Sequence, residues 1–221
     1  MRYLLFTAAL IALNAVSANA QLLLSEPVIL PTEGYIITSA GDTLRGKVNV
    51  VSSAMDVVIQ IGFKDDKTGQ KSKFKAADIK GFAQKRNKFL AGLIKDGLLD
   101  KNFIHYEARK HPKKDKIVFM ERLMNDPKTR VYAYPGEITT SSGISTGIGT
   151  FSTPDLDSYS YLVAKNGSTE DVMVESRNFK KSFPPLVADC PAFNDELAKD
   201  AKRNKFLNLG MLLKEYNVAC K

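Results

Sequence analysis

The sequence predicts an α+β fold that is mostly β: an antiparallel sandwich or partly open barrel with a C-terminal helical hairpin packed on it. Three observations lead there. Apolar residues in the middle of the chain recur at every second position in short runs, as half-buried strands require. Turn residues separate those runs at short intervals and leave little room for crossover helices, so neighbouring strands pair as hairpins. Only the last stretch, 187–221, changes to a 3.6-residue recurrence.

The chain opens MRYLLFTAALIALNAVSANAQ. Arg2 is a short positive n-region, Tyr3 to Val16 form an apolar run, and Ala18-Asn19-Ala20 has the small-x-small form that signal peptidase reads. Residues 1–20 are expected to be a signal peptide, cut to leave Gln21 first, and 21–33 a linker. The apolar run is too short to span a bilayer with its flanks. No cysteine follows it to carry a lipid, and no second long apolar stretch occurs, so no transmembrane span is expected in the mature chain. The expected location is periplasmic, outer-surface associated or secreted.

Residues 34–186 read as the antiparallel β domain. Its first hairpin contains GDTLRGKV, which fits G-x-x-x-x-G-K through Gly41, Gly46 and Lys47. A phosphate loop must open a helix whose N-terminal amides hold the anion, and Ser or Thr should follow the lysine. Here Val48 follows, and small or apolar residues fall at 44, 46, 48 and 50, so the match is a hairpin strand. DVVIQIGF and SKFKAADIKGF form the next strands, with Asp65, Asp66 and Gly69 as turn chemistry. KFLAGLIKDGLLDK (88–101) suits either a short helix or an irregular flap. NFIHYEAR, KIVFMERLM and TRVYAYPG are further strands, and YSYLVAK and EDVMVES flank Asn166-Gly167, a strong hairpin signal. The total is roughly eight strands. Between them, 136–158 is rich in Ser, Thr and Gly and reads as a long, mobile loop. It holds Gly143-Ile144-Ser145-Thr146-Gly147, a G-x-S-x-G match without the strand before and helix after that a nucleophile elbow needs.

Residues 187–221 read as a disulfide-closed helical hairpin. Cys190 or Asp189 suits an N-cap, Pro191 the first turn, and Phe193, Leu197 and Ala201 share one face. Asn204 is a plausible stop. Leu209, Leu212, Leu213 and Tyr216 form the apolar face of a second helix of similar length. A short turn would return the chain, so that Cys190 and Cys220 lie at the same end and can bond in an oxidising compartment.

The formal charge is +8 and falls to +7 without Arg2. The basic clusters lie at 85–88, 113–116 and 202–205, and KRNKFL recurs at 85–90 and 202–207 without alignment of the surrounding residues. Lys85, Arg86, Lys88, Lys113, Lys114 and Lys116 are the candidate anion-binding residues. They are not interleaved with aromatics as a base-stacking platform requires, and nucleic acid is not expected as a partner. His105, beside Tyr106 and Glu107 in a strand, reads as a structural partner, and His111 in a basic turn as solvated. No metal signature occurs and no cofactor is implied. Glu107, Glu121, Asp155 and Asp157 are the carboxylates available to a glycosidase-type pair.

GYIITSAGDTLRGKV, FKAADIKGF, IVFMERLM with TRVYAY, YSYLVAKNG, NFKKSFPPLVADCP and the closing YNVAC together resemble uncharacterised secreted proteins of Bacteroidota-type bacteria. The resemblance implies a β-rich layout with a C-terminal helical segment and no known activity. The expected function is an exported, non-catalytic cell-envelope or surface protein that binds another macromolecule, an envelope protein or a polysaccharide. The alternative is an extracytoplasmic hydrolase acting on glycans through a carboxylate pair. A basic adaptor for anionic polymers is a third reading.

Overall fold

The computed structural model describes residues 30–54, 57–86, 100–135, 144–146, 149–151, 159–168 and 171–220. The expected signal peptide, Lys88, residues 88–99, most of 136–158, and Asp155 and Asp157 lie outside the described residues. The strands are β1 (Thr32–Thr38), β2 (Thr43–Ala54), β3 (Val57–Asp65), β4 (Lys71–Lys75), β5 (Ile79–Lys85), β6 (Phe103–Lys110), β7 (Ile117–Asn125), β8 (Thr129–Pro135), β9 (Ile144–Thr146), β10 (Gly149–Phe151), β11 (Tyr159–Lys165) and β12 (Asp171–Glu175). The helices are α1 (Phe179–Val187), α2 (Pro191–Lys199) and α3 (Leu209–Ala219).

Ten of the strands form one antiparallel sheet in the order β4-β3-β2-β1-β5-β6-β7-β8-β11-β12. Val58 of β3 also pairs with Phe119 of β7. That bridge curls the run β3-β2-β1-β5-β6-β7 into a partly open barrel, and β8, β11 and β12 continue the sheet beyond the closure. The predicted fold class is the one observed.

Local chemistry explains the closure. SKFKAADIKGF, expected as one strand, is two. The Asp78 carboxylate accepts the Lys75 amide at 2.7 Å, and the Asp78 amide returns to the Lys75 carbonyl at 3.0 Å. The turn at 76–78 ends β4 beside β3 and sends β5 to the far side of β1. Ile36, Val48, Ile61, Phe82, Ile104 and Phe119 fill the interior. Phe82 stacks on Tyr106 at 4.6 Å and meets Phe119 edge-on at 5.0 Å.

The phosphate-loop match dissolves in this packing. Gly41 takes a positive φ of 103° in the β1–β2 turn. Gly46 lies within β2, where a Cβ would fall 2.2 Å from the Lys64 carbonyl oxygen and 2.6 Å from the Phe63 ring. Close packing, rather than a ligand, requires glycine there.

The extension of the sheet is covered by helices. Phe179, Phe183, Leu186, Phe193, Leu209, Leu212, Leu213 and Tyr216 pack against Val131, Ala133, Tyr161, Val163 and Val174. α1, but for Val187, lies within the segment expected to belong to the β domain, 34–186, and contains Pro184 and Pro185. An interior proline costs about 3 kcal/mol. Phe179, Phe183, Leu186 and Val187 are all buried, and each large side chain contributes about 1.5–3 kcal/mol, so the apolar stripe outweighs the prolines.

α2 and α3 arise where the sequence places them, with Pro191 in the first turn of α2 and Leu209, Leu212, Leu213 and Tyr216 buried on α3. α2 stops earlier than Asn204, at Lys199, with Asp200 as its C-cap, and short 3-10 turns at Ala201–Arg203 and Phe206–Asn208 bridge to α3. Cys190 and Cys220 are joined by a disulfide across a Cα separation of 5.8 Å. Polar contacts fix the helices to the sheet: the Tyr216 hydroxyl donates to Asp189 at 2.9 Å, Asp189 meets Lys165 of β11 at 2.7 Å, and Asn217 donates to Thr129 of β8 at 2.7 Å.

Within the serine-rich segment, β9 and β10 pair, with Ser145 opposite Thr150. Ser145 thus sits in a hairpin strand, not at a strand-to-helix elbow.

Candidate functional site

Strand register assembles a cationic face that no contiguous cluster in the sequence announces. Lys47 of β2 stands opposite Lys64 of β3, and Lys64 opposite Lys71 of β4. One register step on, Asn49 stands opposite Gly62, and Gly62 opposite Lys73. Cross-strand partners share a sheet face, and neighbouring strands lie about 4.8 Å apart, so three ammonium stems leave the surface within a span of roughly 10 Å. Lys73 and Lys75 extend the charge along β4, whose lysines are exposed while Phe74 turns inward.

Among the described residues none of Lys47, Lys64, Lys71, Lys73 and Lys75 makes an ion pair. Glu33 faces Lys47 across the β1–β2 ladder and bonds Lys85; Lys85 first, and Lys47 to a smaller degree, hold its pKa below the usual range. Lysines on an edge strand protect against sheet-to-sheet association. That accounts for β4, but β2 and β3 are interior strands with neighbours on both sides. Like charges directly opposed across a ladder are destabilising, and Glu33 offsets this at Lys47 only.

The floor of the face is shaped. Pro31, Lys47, Asn49, Val51, Gly62 and Lys64 contribute to a concavity of about 530 Å³ that β4 closes with Lys71 and Lys73. A Cβ at Gly62 would fall 2.6 Å from Asn49 Oδ1, so the missing side chain lets the Asn49 carboxamide lie across the strand. Asn49 Nδ2 donates only a long bond, 3.5 Å, to the Val50 carbonyl.

A second polar assembly occupies the outer face of β6, β7 and β8. Arg122 pairs with Glu107, and the Tyr132 hydroxyl donates to Glu107 at 2.5 Å. Arg109 lies 4.8 Å from the Tyr132 ring centroid and pairs with Asp171. Burial pushes the Glu107 carboxyl up, but the Tyr132 and Arg122 hydrogen bonds outweigh it and leave the pKa lowered. Burial and the Glu107 bond push Tyr132 up to about 12. A general acid needs a raised carboxyl, whereas Glu107 is held ionised as a structural anion. Glu121 sits inside the barrel opposite Tyr106, buried to 6% exposure.

Nearby, His105 Nε2 meets Asp100 at 2.8 Å. With that nitrogen donating, Nδ1 accepts the Tyr35 hydroxyl at 3.1 Å. Asp100 also takes the amides of Asn102 at 2.7 Å and Phe103 at 3.1 Å, a brace at the start of β6.

The residues singled out in sequence are placed apart. Lys85 is engaged by Glu33. The Arg86 guanidinium bonds the Asp100 carbonyl at 3.1 Å, and the residue is buried. Lys113, Lys114 and Lys116 lie in the β6–β7 turn, at the opposite end of β6 from Lys85. Lys116 joins Lys80 and Lys110 around a separate concavity of about 590 Å³, where Asp115 pairs with Lys110. His111, expected in solvent, is buried edge-on against Tyr134 at 5.5 Å and accepts the Lys113 amide at 3.1 Å. Burial, then Lys116, Lys114 and Lys113, lowers its pKa.

Among the described residues no group of three or more His, Cys, Asp or Glu could hold a metal ion, and no helix is long and apolar enough to cross a membrane. Comparison with family models, with curated proteins and with solved structures finds no match for the chain.

Proposed function

We propose that the chain is an exported, non-catalytic protein of the cell envelope or cell surface that holds an anionic macromolecule on the outer face of β2, β3 and β4. The supporting observation is the row Lys47–Lys64–Lys71, three like charges set opposite one another, with Glu33 beside Lys47 bonded to Lys85. An external polyanion relieves the repulsion and releases its own counterions on binding, as phosphate polymers do with basic proteins. The hydrolase reading needs a carboxyl kept protonated beside a second, and Glu107 is shifted the other way. The resemblance to secreted β-rich proteins and the small-x-small sequence before Gln21 support export.

Retention on an immobilised acidic polysaccharide at about 0.15 M salt, where screened surface attraction fades, tests the binding. Replacing Lys47, Lys64 and Lys71 together with Gln should abolish retention. Replacing Lys113, Lys114 and Lys116 with Gln removes the same charge and should leave it largely intact. Equal loss in both variants would mean that net charge alone attracts the polymer. The N-terminus of protein recovered from the envelope is expected at Gln21.

A further inference from the structure

The lysine face carries more information than its sign. Its floor is a neutral carboxamide, Asn49, laid over Gly62 with its hydrogen-bonding capacity nearly unspent. Its apolar lining includes Pro31 and Val51, the latter 42% exposed. A bare phosphate polymer offers charge and has no use for a carboxamide donor beside an apolar wall. An anionic membrane is close to planar and engages protruding apolar side chains with basic residues around them, whereas here the lysines surround a concavity. A sugar ring presents both hydroxyls and an apolar C–H face, and an acidic sugar adds a carboxylate.

We infer, on the reading that this face binds a polyanion, that its ligand is an acidic polysaccharide. Its ring carboxylates lie along Lys47, Lys64 and Lys71. A ring C–H face rests against Pro31 and Val51, and the Asn49 carboxamide exchanges hydrogen bonds with ring hydroxyls. Gly62 is the specificity element beneath it, since any side chain there displaces the amide. Asn49 thus separates glycans from other polyanions, and the lysines bind all of them.

The test measures binding of the whole mature chain to three probes at one salt concentration: polygalacturonate, inorganic polyphosphate of matched charge, and phosphatidylglycerol vesicles. Asn49→Ala and Asn49→Thr, the second keeping a good strand former, are compared with the native chain after circular dichroism confirms folding. The expected result is polygalacturonate bound more tightly than either other probe, with about a tenfold loss in both Asn49 variants, the scale of one hydrogen bond. Polyphosphate binding should be unchanged by those variants. Polyphosphate or vesicles bound as tightly as the glycan, or Asn49 variants that bind it normally, overturn the inference while the lysine face stands. Undiminished binding of every probe by the Lys47, Lys64 and Lys71 triple variant overturns the lysine face itself.

Discussion

Lys47 and Lys64 are direct cross-strand partners on two interior strands of the barrel wall, and neither makes an ion pair among the described residues. This opposition of like charges, on strands that need no edge protection, is the observation on which the proposed binding face rests.

The first consequence is a trade between stability and binding. Lys64→Gln removes the central charge of the row, which opposes both Lys47 and Lys71. The variant should be about 0.2–1 kcal/mol more stable than the native chain, and the gain should shrink as salt rises. Urea unfolding midpoints at low and high salt measure it. A loss of stability would show that the row is not repulsive.

Glu107 makes stability depend on pH. Its folded pKa lies below the unfolded value near 4.5, because Tyr132 and Arg122 outweigh burial. Its contribution is therefore complete above that value and is lost as pH falls through the folded pKa. Glu107→Gln should cost about 1–3 kcal/mol at neutral pH, and the gap from the native chain should narrow in acid. Denaturant titrations at several pH values check this, and a gap constant with pH would contradict it.

The disulfide joins Cys190 and Cys220, 30 positions apart in the chain. Replacing both cysteines with alanine should lower stability by about 2–4 kcal/mol. Calorimetry or urea unfolding with and without reductant reads the difference. An unchanged midpoint would mean that α2 and α3 are held by the sheet alone.

Phe183 is wholly buried where α1 meets the sheet and stacks on Phe179 at 5.0 Å. Phe183→Ala should cost about 3–5 kcal/mol, a penalty expected only if the two prolines really lie within a packed helix. A surface-like loss below about 1 kcal/mol would argue against α1.

The antiparallel strands were legible because period-two alternation and turn chemistry are local, whereas the choice of a partly open barrel over a sandwich depends on the long-range Val58–Phe119 bridge. The α2–α3 face was legible because Leu209, Leu212, Leu213 and Tyr216 repeat at helical spacing. α1 was hidden by Pro184 and Pro185, whose local penalty is overruled by burial against a sheet that the sequence does not display. The burial of His111 was hidden for the same reason, since Tyr134 reaches it only through folding. The lysine face was half visible. Lys71, Lys73 and Lys75 alternate along one strand, but their meeting with Lys64 and Lys47 is a matter of register. A contiguous cluster such as 113–116 is visible in the sequence because its charges are neighbours along the chain.

Hydrogen exchange of the chain beginning at Gln21, with and without polygalacturonate, tests the proposed binding face most directly. Protection should appear at the backbone and flanks of residues 47–49, 62–64 and 71–73 and leave 113–116 unchanged. Protection centred on 113–116, or spread evenly over every basic segment, would contradict a binding face built by the β2–β3–β4 register.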